Sequence, residues 1–175
     1  MPVPAHLKIQ SDNLAFDTLL ADWRWLVPPT FTPILMTAFG DLFLHDEVGH
    51  VHFLDLMWGE LKQVAQSQDE FNQLCEDREQ RRRWFIGFLL MELRKLRGHL
   101  APGECYSCKI PLSLSGQLDA ENFERMDLGV HYSVLGQLHH QTKNLPPGTR
   151  IDSIKIELRH ENTKPKSFWQ KILGH

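Results

Sequence analysis

Two short runs of strand-forming residues, Leu42–His45 and His50–Leu54, stand on either side of Asp46-Glu47-Val48-Gly49. Asp and Gly are turn formers, and Gly49 supplies a position that tolerates positive φ, so the segment reads as a β-hairpin. A hairpin imposes antiparallel pairing. A second turn near Trp58-Gly59 leads into Leu61–Ala65 and extends the hairpin to a meander over residues 34–66. A sheet of this kind must bury at least one face, and the segments around it carry helical patterns that can cover it. The expected fold is therefore a single α+β domain, an antiparallel meander packed with helices.

Residues 12–25 have Phe16, Leu19, Leu20 and Trp23 at i, i+3, i+4 and i+7, the spacing of one helical face. Ser11 or Asp12 can cap this helix, and Pro28-Pro29 end it. Ser67-Gln68-Asp69-Glu70 has the S-x-x-E pattern of a capping box, which predicts a helix through Phe71, Leu74 and Cys75. A second helical stretch is expected over residues 83–97. Its middle is apolar on nearly all sides, as in a buried central helix, with Arg94, Lys95 and Arg97 at its end and Gly98 to close it. Cys105–Ile110 reads as a strand ended by Pro111, and residues 113–122 as a loop. Residues 123–132 lean to strand and 133–144 to helix. Ile154, Ile156 and Leu158 alternate with Ser153, Lys155 and Glu157, the period of a half-buried strand. The expected division is an α+β body over residues 1–150, including the 12–25 helix. Residues 151–175 then form a C-terminal strand and a basic tail that carries Phe168 and Trp169.

The chain has 175 residues, 42% hydrophobic and 23% charged, which suits one globular domain with one core. No apolar run approaches the ~20 residues of a membrane span. Met1–Gln10 lacks the basic and apolar regions of a secretory signal. Three cysteines, Cys75, Cys105 and Cys108, are not a disulfide framework, so the expected compartment is the reducing cytoplasm.

Chemistry-bearing motifs are sparse. Cys105-Tyr106-Ser107-Cys108 is a CxxC without a second ligand pair for zinc. It lies within a strand pattern rather than at the strand-to-helix junction a redox dithiol uses, so both thiols read as structural. Ten histidines include His50 and His52 on one face of a strand and His139 and His140 pointing apart on a helix. His131 sits inside an apolar run, where a core histidine is commoner than a ligand. There is no nucleophile elbow, P-loop or dinucleotide fingerprint. Arg81-Arg82-Arg83 is too short for more than weak phosphate binding and reads as a solvated surface. The residues thus assign no catalytic group, metal ligand or cofactor, and no nucleic-acid or membrane partner.

Three ordered stretches carry a family resemblance. The first is Leu35–Leu44 (LMTAFGDLFL) with Val51–Asp55 (VHFLD), and the second is Gly103–Ser107 (GECYS). The third is His131–His139 (HYSVLGQLH) with Leu145–Thr149 (LPPGT). Together they resemble the C-terminal domain of the Tdi-type immunity proteins of bacterial type VI secretion systems, over roughly residues 25–150. More loosely, the chain is similar to the SUKH group of immunity proteins, which are α+β. The resemblance implies a non-enzymatic role inside the producing cell: binding and neutralising a co-encoded toxin, in the named cases a DNase. Two readings of other classes stand beside it. One is a regulatory or adaptor module that binds a housekeeping protein; the other is an enzyme using His131 with the Cys105 region.

Charge suggests how such a toxin is met. Residues 1–80 carry a net charge of −9 and residues 81–175 a net charge of +6. Nuclease clefts bind phosphates and tend to be basic, so an acidic surface suits them. The expected toxin-binding residues are Asp41, Asp46, Glu47, Asp55, Trp58, Glu60, Asp69 and Glu70, with Trp58 as the desolvated anchor.

Overall fold

In the computed structural model, which describes residues 7–8, 14–146 and 148–157, the hairpin grows into a four-stranded antiparallel sheet. Strands β1 (Thr32–Met36), β2 (Leu42–His45), β3 (Val51–Asp55) and β4 (Glu60–Ala65) pair in chain order, with Leu42 opposite Leu54 and Asp55 opposite Glu60. The expected meander is there, with β1 as a first strand that its own sequence pattern did not single out. Both turns form, with Gly49 at φ 90° and Gly59 at φ 67°.

The sheet is covered on both faces. Leu42, Leu44 and Leu54 join a cluster with Trp23, Tyr132, Leu135 and Leu138, while Phe43, Val51 and Phe53 point the other way to Phe71, Trp84 and Phe85. A strand buried on both sides needs no polar alternation, which is why β2 is a continuous apolar run. The second cover is made by α2 (Gln68–Glu76) and α3 (Arg78–Phe85). Ser67 caps α2 by accepting a hydrogen bond from Glu70 N at 3.2 Å, and Glu70 Oε2 accepts one from Gln66 N at 2.6 Å, one residue before the capping-box position.

The helix expected over residues 83–97 is in fact two. α3 stops at Ile86, which adopts a left-handed φ of 41°, and α4 (Gly87–Arg97) starts in a new direction. A β-branched residue at positive φ is rare. Here the kink lets Trp84 and Phe85 face the sheet while Leu89, Leu90 and Leu93 pack on Phe39, Tyr106 and Phe123. Tyr106 and Phe123 belong to a two-stranded ladder, β5 (Glu104–Cys108) and β6 (Phe123–Asp127), and Phe39 of the β1–β2 turn packs edge-to-face on Phe123. α4 is not the central helix. Its surplus of apolar residues is exposed at Phe88, Met91 and Leu96.

The central helix is α5, Leu128–Thr142, with ten buried residues. Asp127 caps it, accepting from Val130 N at 3.0 Å, so the expected strand over 123–132 ends at Asp127 and the helix begins immediately. Polar side chains of α5 reach four of the segments around it. Tyr132 donates to Gly40 O at 2.6 Å, His139 Nε2 to Leu56 O at 3.0 Å and Ser133 to Asp22 Oδ2 at 2.8 Å, and His131 Nδ1 is 2.8 Å from Ser107 Oγ. The expected 12–25 helix is two short pieces, α1 (Phe16–Leu19) and a 3-10 turn (Ala21–Trp23). The turn is held tightly against α5, where Trp23 Nε1 donates to Tyr132 O at 2.9 Å. That close approach uses Gly136.

Residues 151–157 run beside α5 without joining a sheet. Gln137 and Gln141 each hydrogen-bond both ways to their backbone, Gln137 to Glu157 and Gln141 to Lys155. The expected strand alternation is therefore satisfied by a glutamine ladder, with Ile154 and Ile156 packed inward. The proposed caps Ser11 and Asp12, Leu158, and the tail with Phe168 and Trp169 lie outside the described residues.

Beneath the sheet's end, Asp41 is buried, receiving hydrogen bonds from Thr37 Oγ1 at 3.1 Å and Leu56 N at 3.0 Å. Burial, with Asp55 nearby, raises its pKa from 3.8 to about 8. The buried His131 goes the other way, from 6.5 to about 4, because desolvation disfavours the imidazolium.

Two outcomes follow from this packing. A methyl group on Gly136 would sit 2.8 Å from Asp22 O and 2.9 Å from Trp23 Nε1. Gly136→Ala should therefore lower stability in urea denaturation by about 1–3 kcal/mol, despite the better helix propensity of alanine. An alanine variant as stable as the parent would show that the contact is loose. For Asp41, between pH 4 and 8 the folded chain holds a proton that the unfolded chain has released, so its contribution to stability falls as pH rises. Asp41→Asn removes that loss. Its stability relative to the parent should grow with pH across this window, by about 1 kcal/mol per unit; parallel pH profiles would refute the raised pKa.

Candidate functional site

Cys105 and Cys108 are three apart on β5 and fall in different core clusters, Cys105 under α5 and Cys108 under α4. Both are buried, and desolvation raises the Cys105 thiol well above its ordinary range and the Cys108 thiol to about 11. Such thiols are poor nucleophiles at neutral pH. His131 is buried against Gly40 and hydrogen-bonded to Ser107. None of these groups is open to a substrate.

The expected acidic residues do not form one surface. Asp41 is buried, its carboxyl accepting from Thr37 Oγ1 and the Leu56 amide, and it reaches only the inner lining of the cavity beside Trp58. Asp46 and Glu47 occupy the β2–β3 turn, and the N-terminus of α2, with Asp69 and Glu70, follows β4 at the same end, since Ala65 pairs with Val51. Asp55, Trp58 and Glu60 occupy the β3–β4 turn at the opposite end. The two groups are separated by the length of β3, about 15 Å.

At the first end, Asp46 organises the hairpin. Its Oδ1 accepts from Val48 N at 3.1 Å and His50 N at 2.9 Å; its Oδ2 accepts from His50 Nδ1 and His52 Nε2, both at 3.0 Å. Desolvation pushes this carboxyl up, but the four hydrogen bonds outweigh it and hold the pKa well below the carboxylate range.

At the second end, Trp58 stands on a turn fixed from three directions. Asp55 Oδ1 accepts from Trp58 N at 3.1 Å, Asp41 Oδ1 accepts from Leu56 N, and His139 donates to Leu56 O. The His139 ring also fills the space beside Gly59, where a Cβ would lie 2.4 Å from its Cγ. The indole is 54% exposed on this rigid support. Beside it opens a cavity of about 340 Å³, with Met57 and Phe53 in its lining, Phe88 and Leu118 at its rim, and Arg82 and Arg83 of α3 opposite Asp55. Phe88 and Leu118 are 63% and 46% exposed and were not among the expected site residues. The available signal was the all-round apolar character of residues 83–97, which read as burial. Glu60, beyond Trp58, pairs with Lys62. The turn thus presents an exposed aromatic beside an apolar hollow lined by charges of both signs.

No helix among the described residues is long and apolar enough to cross a membrane. No curated protein matches the chain. Among solved structures it is similar to one titled "Crystal structure of Atu4351 from Agrobacterium tumefaciens", at 19% identity and a TM-score of 0.46, over 69% of this chain and 60% of that one. The chain thus spans less than two thirds of that protein's length. A family model described as "T6SS immunity protein Tdi1, C-terminal" matches residues 65–139. This range holds the Gly103–Ser107 and His131–His139 stretches and runs from the end of β4 through most of α5; Leu35–Asp55 and Leu145–Thr149 lie outside it. Residues 65–139, which include α2, α3, α4 and most of the central helix, are thus similar to the C-terminal domain of the T6SS immunity protein Tdi1.

Proposed function

We propose that this protein acts in the cytoplasm of the producing cell by binding a cognate secreted toxin and blocking its activity, without catalysis of its own. The observation that carries the reading is the family match over residues 65–139. The sealed environments of Cys105, Cys108 and His131 support it, as does the rigid presentation of Trp58. Trp58 is the anchor in this reading, and Asp55 and Glu60 are its acidic surroundings. Asp46, Glu47, Asp69 and Glu70 form a second acidic end, which would steer a basic partner from a distance. A nuclease is the toxin class that such steering suits, because its cleft must be basic to hold phosphates. Asp41 takes part only from below, by fixing the turn that carries Trp58.

Co-expression with the toxin encoded beside this gene should restore growth, and the two proteins should co-elute on size exclusion. Soluble expression without rescue and without a complex would refute immunity. For the surface, Trp58→Ala should weaken the complex by about 2 kcal/mol, roughly 30-fold, at unchanged thermal stability. Glu47→Lys and Glu60→Lys alter charge at opposite ends while leaving the Asp46 and Asp55 turn contacts intact. The reversal that slows association and flattens its salt dependence marks the end that faces the toxin. Equal rates for both variants across a salt series would remove charge steering from the account.

A further inference from the structure

We propose that Asp46, His50 and His52 form a binding site for a first-row divalent ion of borderline softness, such as Zn²⁺. The three side chains come from one hairpin. Each offers a ligand atom, and these atoms all lie within 4.8 Å of one another. Asp46 Oδ2 is 3.0 Å from both His50 Nδ1 and His52 Nε2. Ligands held about 2.0–2.1 Å from a shared ion, at the angles of tetrahedral or octahedral coordination, stand about 3.0–3.4 Å apart. Two of the three ligand separations therefore already match edges of a coordination polyhedron. The third lies within 4.8 Å, and closing it falls to the His50 ring, the more exposed of the two.

The supports around these ligands are in place. Asp46 Oδ1 is held by the Val48 and His50 amides, which leaves Oδ2 to face the rings. The His52 ring is packed by Phe31, with centroids 4.7 Å apart. All three side chains are half-buried, so solvent reaches the remaining coordination positions, where a water or a ligand from a docked protein would complete the sphere. Two imidazoles and one carboxylate suit Zn²⁺, Ni²⁺ or Cu²⁺ better than Ca²⁺ or Mg²⁺, which prefer oxygen. To ligate, each coordinating nitrogen must present its lone pair, so the N–H of a neutral ring moves to its other nitrogen; an imidazolium must lose a proton, so protons compete with the ion at acid pH.

The test is calorimetric titration of the full chain, without an affinity tag, with ZnCl₂ at neutral pH. The expected result is one ion per chain. His50→Ala, His52→Ala and Asp46→Asn should each weaken it by more than the roughly 10–100-fold that loss of an outer-shell partner costs. Should a variant unfold, Co²⁺ added to the unaltered chain decides the matter. Paramagnetic broadening of amide resonances should centre on residues 45–53. Failure to bind zinc stoichiometrically, binding unchanged in folded variants, or broadening centred on another histidine such as His99 or His140 would each overturn the proposal.

Discussion

The structure depends on one helix being reachable from all sides. α5 lies under the meander, against the N-terminal turn, beside β5 and along the 151–157 segment, and at each contact a polar side chain of α5 meets a backbone or side-chain partner. A buried helix that only packed through leucines would leave Gly40 O, Leu56 O and Ser107 Oγ without partners, each at a cost of about 1–3 kcal/mol. Tyr132, His139 and His131 remove those costs and also fix direction, because a hydrogen bond has a geometry that apolar contact lacks. The same logic explains Gly136. The 3-10 turn at Trp23 can reach the α5 backbone only where no side chain intervenes.

The second constraint is that the sheet face under α3 and the cluster under α4 are packed separately. α3 serves the first and α4 the second, and the left-handed Ile86 is the joint. Bending there leaves Phe88 and Met91 exposed, and Phe88 shares the lining of one cavity with Trp58 and Leu118. The exposed apolar patch is thus a consequence of how the cores are divided, and it coincides with the turn that α5 holds most firmly. A side chain on so fixed a turn loses less freedom on any association.

The two ends of the meander are organised differently. At the Trp58 end, buried groups lock the backbone and leave the indole free. At the Asp46 end, one carboxylate gathers two amides and two imidazoles, so the charge that a linear reading assigns to the surface is largely occupied. The net charge of −9 over residues 1–80 suggests one acidic surface. Pairing the strands divides it, because residues close in sequence on a meander alternate between its ends.

Much of this was legible in the chain itself. The hairpin at Asp46–Gly49, the turn at Trp58-Gly59, the cap at Ser67, the strand at Cys105 and the stop at Gly98 all rest on local rules: turn residues, capping oxygens and a period of two. The structural role of both cysteines of the CxxC was also readable, from strand context. Other features depended on partners distant in sequence. The apolar residues 83–97 say that much surface must be buried, but not that a kink sends one part to each core. The alternation at 151–157 predicts an extended segment, yet its hydrogen bonds come from Gln137 and Gln141, which no local pattern marks. His52 and Asp46 meet only through strand register. The sequence by itself determined the elements and their turns, because those energies act between neighbours. The tertiary structure alone decided which apolar residues stay exposed, which carboxylates keep their charge and which imidazoles converge, because burial and hydrogen bonding there join residues that only the fold brings together.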